Sequence, residues 1–341
     1  MTALSFVDQG PVSAEHSPRQ TLGHTIELAR LADELGYTRY WLAEHHGVHN
    51  MGIAAPEILI GHVAGRTSRI RVGSGGMMLP NHAPLHVAEQ FRTLEALHPN
   101  RIDLGVGRST GTGDDPTKAA LLRTPDGLAR FGQHLSQLLG VGGLRELDPD
   151  DPYAPLFASP SDVPLPAVFV LGSSSGSAET AARAGLNYAF FAVNQDPALA
   201  FEALRRYRER FTPARPGDEP HAILACRIWV GEDDEHARAL AASERLAVLD
   251  YLTGNPAALE PMEKALARPL TDAQLAVRET LDYRPDIVGD TEAAAARIAQ
   301  ITAASGADEV MAIANVHDPV ERRDSLRRLA VAVGLCPAPV G

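Results

Sequence analysis

The residues of this chain best suited to chemistry follow directly on short apolar runs. ALSFVD ends at Asp8 and leads into Gln9-Gly10, Glu44-His45-His46-Gly47 follows YWLA, and the run IRVGSGG closes in Gly75-Gly76, with Met77-Met78 and Asn81-His82 just beyond. RIDLGVG ends at Gly107 and leads into Arg108-Ser109. AVFVLG ends at Gly172 and leads into Ser173-Ser174-Ser175-Gly176-Ser177, ahead of a helix whose face carries Ala178, Ala181, Ala182 and Gly185. That serine turn can cradle an anion, because small residues let backbone N–H groups and hydroxyls converge at the positive end of a helix. A Ser-rich helix cap reads the same way on its own. Arg108, at the end of the neighbouring strand, adds a guanidinium that can pair bidentately with phosphate, although an arginine there can equally serve a rim salt bridge.

His45 and His46 leave one strand together, so one can face a barrel mouth and move protons near neutral pH while the other packs sideways. With Asp8, His49, His82 and His86 in the pattern, a metal-dependent barrel hydrolase is a competing reading. No HxH or HExxH spacing supports it, and metal is not expected. Adjacent glycines at Gly75-Gly76 permit either a tight exit turn or close approach of a flat ligand. Met77 can line an apolar wall, although core filling is the commoner use of methionine. GVGRSTG is not a dinucleotide fingerprint, since its third glycine falls at Gly111, one residue late.

These residues need a scaffold that brings strand ends together. Apolar runs at 3–8, 40–43, 70–76, 101–107, 167–172, 186–192, 223–231 and 308–314 alternate with helical patterns, which predicts a single α/β domain, a (β/α)8 TIM barrel over 1–341. Its active site should lie at the C-terminal ends of the strands. Ser17-Pro18-Arg19-Gln20 is a helix start with a capping box; Leu28, Leu31, Ala32 and Leu35 share one face, and Gly36 is the stop. Two stretches break the rhythm, at 141–166 after the fourth helix and at 250–288 after the seventh strand and its helix. The second, with Tyr251, Tyr283 and Arg284, is expected to cover the site as a lid.

Composition narrows the class. The chain has 341 residues, 45% hydrophobic and 22% charged, enough to bury a core without staples. A net charge of -12 argues against broad nucleic-acid binding. Cys226 and Cys336 match no metal spacing and no disulfide framework. With no leader-like start and no run long enough to span a bilayer, a cytoplasmic protein without membrane attachment is expected.

WLAEHHG, RVGSGGMMLPNHAPLHVAEQFRTLEALHPNRIDLGVGR and LGSSSGSAETAARAG, in that order along residues 1–192, resemble the bacterial-luciferase-like flavin monooxygenases. The last third resembles them less distinctively, through its final strand and Val288-Gly289-Asp290-Thr291. The resemblance implies a monooxygenase that takes reduced FMN as a dissociable cosubstrate from a separate flavin reductase and uses O2 to hydroxylate or epoxidise an organic substrate. It implies that Arg108, Ser174, Gly176 and Ser177 hold the FMN phosphate and that Gly75, Gly76 and Gly107 lie against the flavin, with a non-prolyl cis peptide at Gly75-Gly76. His45 would be the catalytic proton-transfer residue. His82, Met77, Tyr251 and Tyr283 are expected on the substrate side.

The chain also departs from luciferase: Gly107 stands where luciferase has cysteine, and Ser173 where it has glutamate, so light emission is not expected. A homodimer through the helices after the second and third strands is expected, and a role in secondary-metabolite synthesis, such as aromatic polyketide tailoring. An F420-dependent hydride-transfer enzyme of the same superfamily and a non-catalytic flavin-binding protein are the other readings.

Overall fold

Parallel strands cannot be joined by tight turns, so each apolar run must be followed by a crossover, usually a helix. The computed structural model describes residues 2–335 and shows this arrangement throughout. Its strands are β1 (Ala3–Asp8), β2 (Arg39–Leu42), β3 (Arg71–Ser74), β4 (Met77–Met78), β5 (Ile102–Gly107), β6 (Ala167–Gly172), β7 (Asn187–Ala192), β8 (Ala222–Val230), β9 (Ile287–Gly289) and β10 (Glu309–Ile313). Every strand pairing is parallel, and β10 pairs with both β1 and β8, which closes the ring. With β3 and β4 as one interrupted strand and β9 flanking the end of β8, the result is the eight-stranded (β/α)8 barrel expected from the sequence.

The third strand differs from its expected course over 70–76. Gly73 pairs with Asp103 and Met77 with Val106, so three residues, 74–76, stand opposite two, 104–105. This is a β-bulge, which bends a strand and re-aims the residues beyond it. The Gly75-Gly76 peptide within it is cis. Both glycines face the barrel interior. A Cβ on Gly75 would lie 2.8 Å from Val7 Cγ2, and one on Gly76 would lie 2.9 Å from Leu171 Cδ2.

The first helix, Pro18–Leu35, starts on the predicted Ser17/Gln20 capping box and ends on Gly36 in the left-handed region. Outside the barrel one continuous apolar layer joins strands to helices, and a second cluster around Val7, Trp41, Phe169, Ile223 and Met311 fills the barrel itself. Beneath it, at the N-terminal end, Arg39 bridges Asp103 (2.8 Å) and Glu309 (3.0 Å), while Arg71 pairs with Asp103 (2.6 Å). These interior charges satisfy one another and plug the lower end of the barrel interior.

The two irregular stretches differ. Between Val141 and Ala167 there is no regular element, and the buried guanidinium of Arg92 fastens this segment by donating to the carbonyls of Ala158 (2.5 Å) and Gly142 (2.9 Å). The 250–288 stretch is mostly ordered secondary structure, with helices at Met262–Ala267 and Asp272–Thr280 and then β9. Asp290 caps the helix that begins at Thr291. Cys226 is a buried free thiol, and Cys336 lies outside the described residues. Among the described residues no helix is long and apolar enough to cross a membrane.

Candidate active site

A cavity of about 700 Å³ opens at the C-terminal ends of β2, β4, β5, β6 and β7, a size ordinary for a small-molecule or cofactor site. His45 lines it from β2, Gly75 and Gly76 from the bulge, and Gly107 and Arg108 from the end of β5; Ser174, Gly176 and Ser177 close it from the turn after β6. Four other predicted residues are placed elsewhere. Met77 is fully buried in the core, and its neighbour Met78 lines the cavity instead. His82 turns to Glu44, Tyr251 packs its hydroxyl against Gly113, and the ring of Tyr283 lies under the guanidinium groups of Arg245 (4.7 Å) and Arg227 (5.6 Å).

The anion end is built by the helix Ser175–Ala184. Ser174 is its N-cap and forms a capping box with Ser177. The Ser177 hydroxyl is committed to the turn: it donates to the Ser174 carbonyl (2.7 Å) and lies 2.9 Å from the hydroxyl of the buried Tyr188. The turn can fold back so closely because residue 172 is glycine, where a Cβ would sit 2.2 Å from Ser177 Oγ. The first-turn N–H groups of Ser175 and Gly176 have no carbonyl within the helix to donate to, and they make no hydrogen bond among the described residues. Arg108 is exposed and makes no hydrogen bond or ion pair among the described residues. An unpaired guanidinium and an open helix N-terminus therefore border one cavity, a donor set matched to a phosphate.

At the other end His45 is half-buried and its Nδ1 has no hydrogen-bond partner among the described residues. Burial pushes the imidazole down to about 4, against an opposing effect of the Glu44 charge, so the ring is neutral at pH 7 and can accept a proton. Glu44 is fully buried. Its carboxylate accepts from Met78 N–H (2.8 Å), His46 Nε2 (2.8 Å), His82 Nε2 (2.9 Å) and Asn81 Nδ2 (3.2 Å). Against the cost of burial, these donors hold the carboxyl down at about 2. Glu44 therefore ties the exit of β2, which carries His45, to the exit of β4, which carries Met78.

The alternative set of Asp8, His45, His46 and His82 does not converge. The buried Asp8 carboxylate accepts from Arg322 (2.7 Å), Thr25 (2.8 Å), Tyr40 (2.5 Å) and the N–H of Gly10 (2.8 Å), so it is spent on joining β1 to the first and last helices. Among the described residues no three His, Cys, Asp or Glu side chains are grouped to hold a metal ion.

The family model for luciferase-like monooxygenases matches residues 1–310. The chain belongs to that family. It is 35% identical over 325 residues to a luciferase-like monooxygenase of Escherichia coli strain K12, covering 95% of this chain and 94% of that one. It is 31% identical over 338 residues to an N-acetyl-S-alkylcysteine monooxygenase of Bacillus subtilis strain 168, covering 98% of both. The solved structure of apo-MsnO8 superposes with a TM-score of 0.87 at 38% identity, covering 99% of this chain and 100% of that one.

Sequence reasoning gave no role to several residues that build the site of this luciferase-like protein. Glu44 stood in view beside His45, and a carboxylate directly after a buried strand, without a Lys or Arg neighbour, was the signal that it must collect donors. Tyr188 gave none, because a tyrosine in an apolar strand reads as core. Gln9 also lines the cavity; its place after β1 was the available signal.

Proposed function

We propose that this protein is an FMN-dependent monooxygenase, receiving reduced FMN from a separate flavin reductase and using O2 to oxygenate an organic substrate. One observation carries the reading: a single cavity has an unpaired arginine and an open helix N-terminus at one end, and a glycine floor and a neutral, unpartnered histidine at the other. The residues fit the cofactor. Arg108 and the N–H groups of Ser175 and Gly176 would hold the phosphate, with Ser174 and Ser177 shaping the turn. Gly75, Gly76 and Gly107 leave room for a flat ring, since a Cβ on Gly107 would already lie 3.2 Å from Met78 Sδ.

When bound, the reduced flavin supplies the electrons for O2 activation, and the protein supplies orientation, dryness and proton handling. Ala43, Met78, Phe131, Leu171 and Phe191 make the walls apolar and restrict water near the reacting centre. The imidazole of His45 takes up a proton where the reaction releases one and returns it where one is needed. The proposed substrate belongs to secondary metabolism. The helices Pro56–Ala64 and Pro84–Leu97 leave Ile58 and Leu97 exposed, and we propose them as the homodimer face, which sedimentation equilibrium of the purified protein tests.

The test of the function is a titration of the purified protein with FMN, with riboflavin, which lacks the phosphate, and with F420, followed by O2 uptake in the presence of a reductase and NADH. FMN should bind at least tenfold more tightly than riboflavin, a factor equivalent to ~1.4 kcal/mol for one charged phosphate contact. Preference for F420 without O2 uptake would assign the hydride-transfer chemistry instead. FMN binding without any effect on O2 uptake or product would leave a flavin carrier.

A further inference from the structure

The cavity must also admit the molecule that is oxygenated, and its walls restrict what that molecule can be. Among the described residues that line it, Arg108 is the only permanently charged side chain, and it stands at the serine-turn end. The one other titratable wall residue, His45, is kept neutral by burial. The remainder is alanine, glycine, leucine, methionine, phenylalanine, serine and threonine, together with Gln9. On β8 and its helix, Arg227 bonds to Asp286 (3.0 Å) and to Asn194, Arg245 bonds to the same Asp286 (3.1 Å), and neither arginine lines the cavity. A carboxylate or phosphonate brought into such walls would lose its hydration without gaining a counter-ion, at a cost that disfavours binding strongly.

Beside His45, Gln9 supplies a directed polar contact away from the serine turn. Its Oε1 accepts from Asn315 Nδ2 (2.6 Å), and the orientation of Asn315 is set in turn by Glu244, which accepts from the Asn315 N–H (3.0 Å) and from its side-chain amide. With the oxygen of Gln9 used in this way, its Nε2 makes no hydrogen bond among the described residues. The amide therefore presents a donor to the cavity.

We infer that the substrate is an uncharged, largely apolar molecule carrying an acceptor oxygen, such as a ketone, aldehyde or quinone, and that Gln9 is the residue that selects for that oxygen. This rests on the flavin reading, in which the phosphate occupies Arg108. It separates this chain from relatives that act on acids: N-acetyl-S-alkylcysteines carry a carboxylate for which these walls hold no partner.

The experiment measures binding of matched probes to the FMN-loaded protein by equilibrium dialysis: 1-acetylnaphthalene against 1-naphthoate, and 2-decanone against decanoate. At least one ketone should bind ten times more tightly than its acid. Gln9→Leu and the isosteric Gln9→Glu should each weaken that ketone about tenfold, the loss of one hydrogen bond, while Gln9→Arg should bring the matching acid up to or above the ketone. An acid that binds as well as its ketone, no saturable binding of either ketone, or a Gln9→Leu protein with unchanged ketone affinity would overturn the inference. FMN titration of the same sample comes first. Failure to bind FMN sinks the flavin reading, whereas FMN retention with a preference for acids sinks only this one.

Discussion

Replacing Glu44 by glutamine keeps the shape of the side chain and removes its charge, and the structure sets the size of the effect. The carboxyl is held at about 2 against an ordinary 4.5, a difference worth roughly 3 kcal/mol at 1.36 kcal/mol per pH unit. The hydrogen bonds give a similar figure. Four donors meet the carboxylate; a glutamine oxygen can serve about half of them, and its NH2 then faces a donor, with losses of about 1.5–3 kcal/mol for a charged bond. Urea unfolding at pH 7 should show Glu44→Gln less stable by roughly 3 kcal/mol at an unchanged slope. The sign with pH follows from a depressed carboxylate: its contribution is complete above about 4.5 and is lost as pH falls towards about 2. The gap between wild type and variant should therefore narrow below about 4.5. A gap under ~0.5 kcal/mol at pH 7 would refute the idea that a charged Glu44 binds the two strand exits together.

Three further outcomes are expected. His45 is depressed from 6.5 to about 4, so the unfolded chain binds the extra proton and the folded state loses stability as pH falls through that window; His45→Asn should gain ~2 kcal/mol on wild type between pH 7 and pH 4.5 in denaturant titrations, allowing for partial exposure. Arg108→Ala should weaken FMN about 10- to 100-fold and leave riboflavin unchanged, with Arg108→Lys between, as followed by flavin fluorescence; equal losses for both ligands would place Arg108 off the phosphate. Gly105→Ala would set a Cβ 2.2 Å from the Ser74 carbonyl oxygen and 2.8 Å from Leu171 Cδ1; because backbone blocks it, a loss of about 3 kcal/mol or more, or no folded protein, should appear in thermal unfolding.

The barrel was legible because its signals are local. Apolar runs, the Ser17/Gln20 box and the Gly36 stop each depend on neighbours in sequence, and strand limits were met within a residue or two except at the third strand. There the bulge is a property of register against β5, which one strand cannot disclose. The same holds for the site. Arg108 and the serine turn could be read because each announces its own chemistry, while Glu44, Tyr188 and Gln9 act through partners 34, 11 and 306 residues away. Tyr283 shows the converse: its place in a long irregular stretch suggested ligand contact, but the two arginines it meets come from elsewhere in the fold.

The pairing of β1 with β10 has a consequence in time. Ala3 meets Glu309, so the two sides of this seam are made 306 residues apart, and at about 5–20 residues per second synthesis separates them by roughly 15–60 s. Throughout that interval β1 has β2 on one side and an open edge on the other, with Asp8 still awaiting Arg322. The nascent protein thus carries an unsealed sheet until almost its last helix is made. Ribosome-bound chains halted before β10 should be held by chaperones or cut by proteases, and those halted after the last helix should resist both.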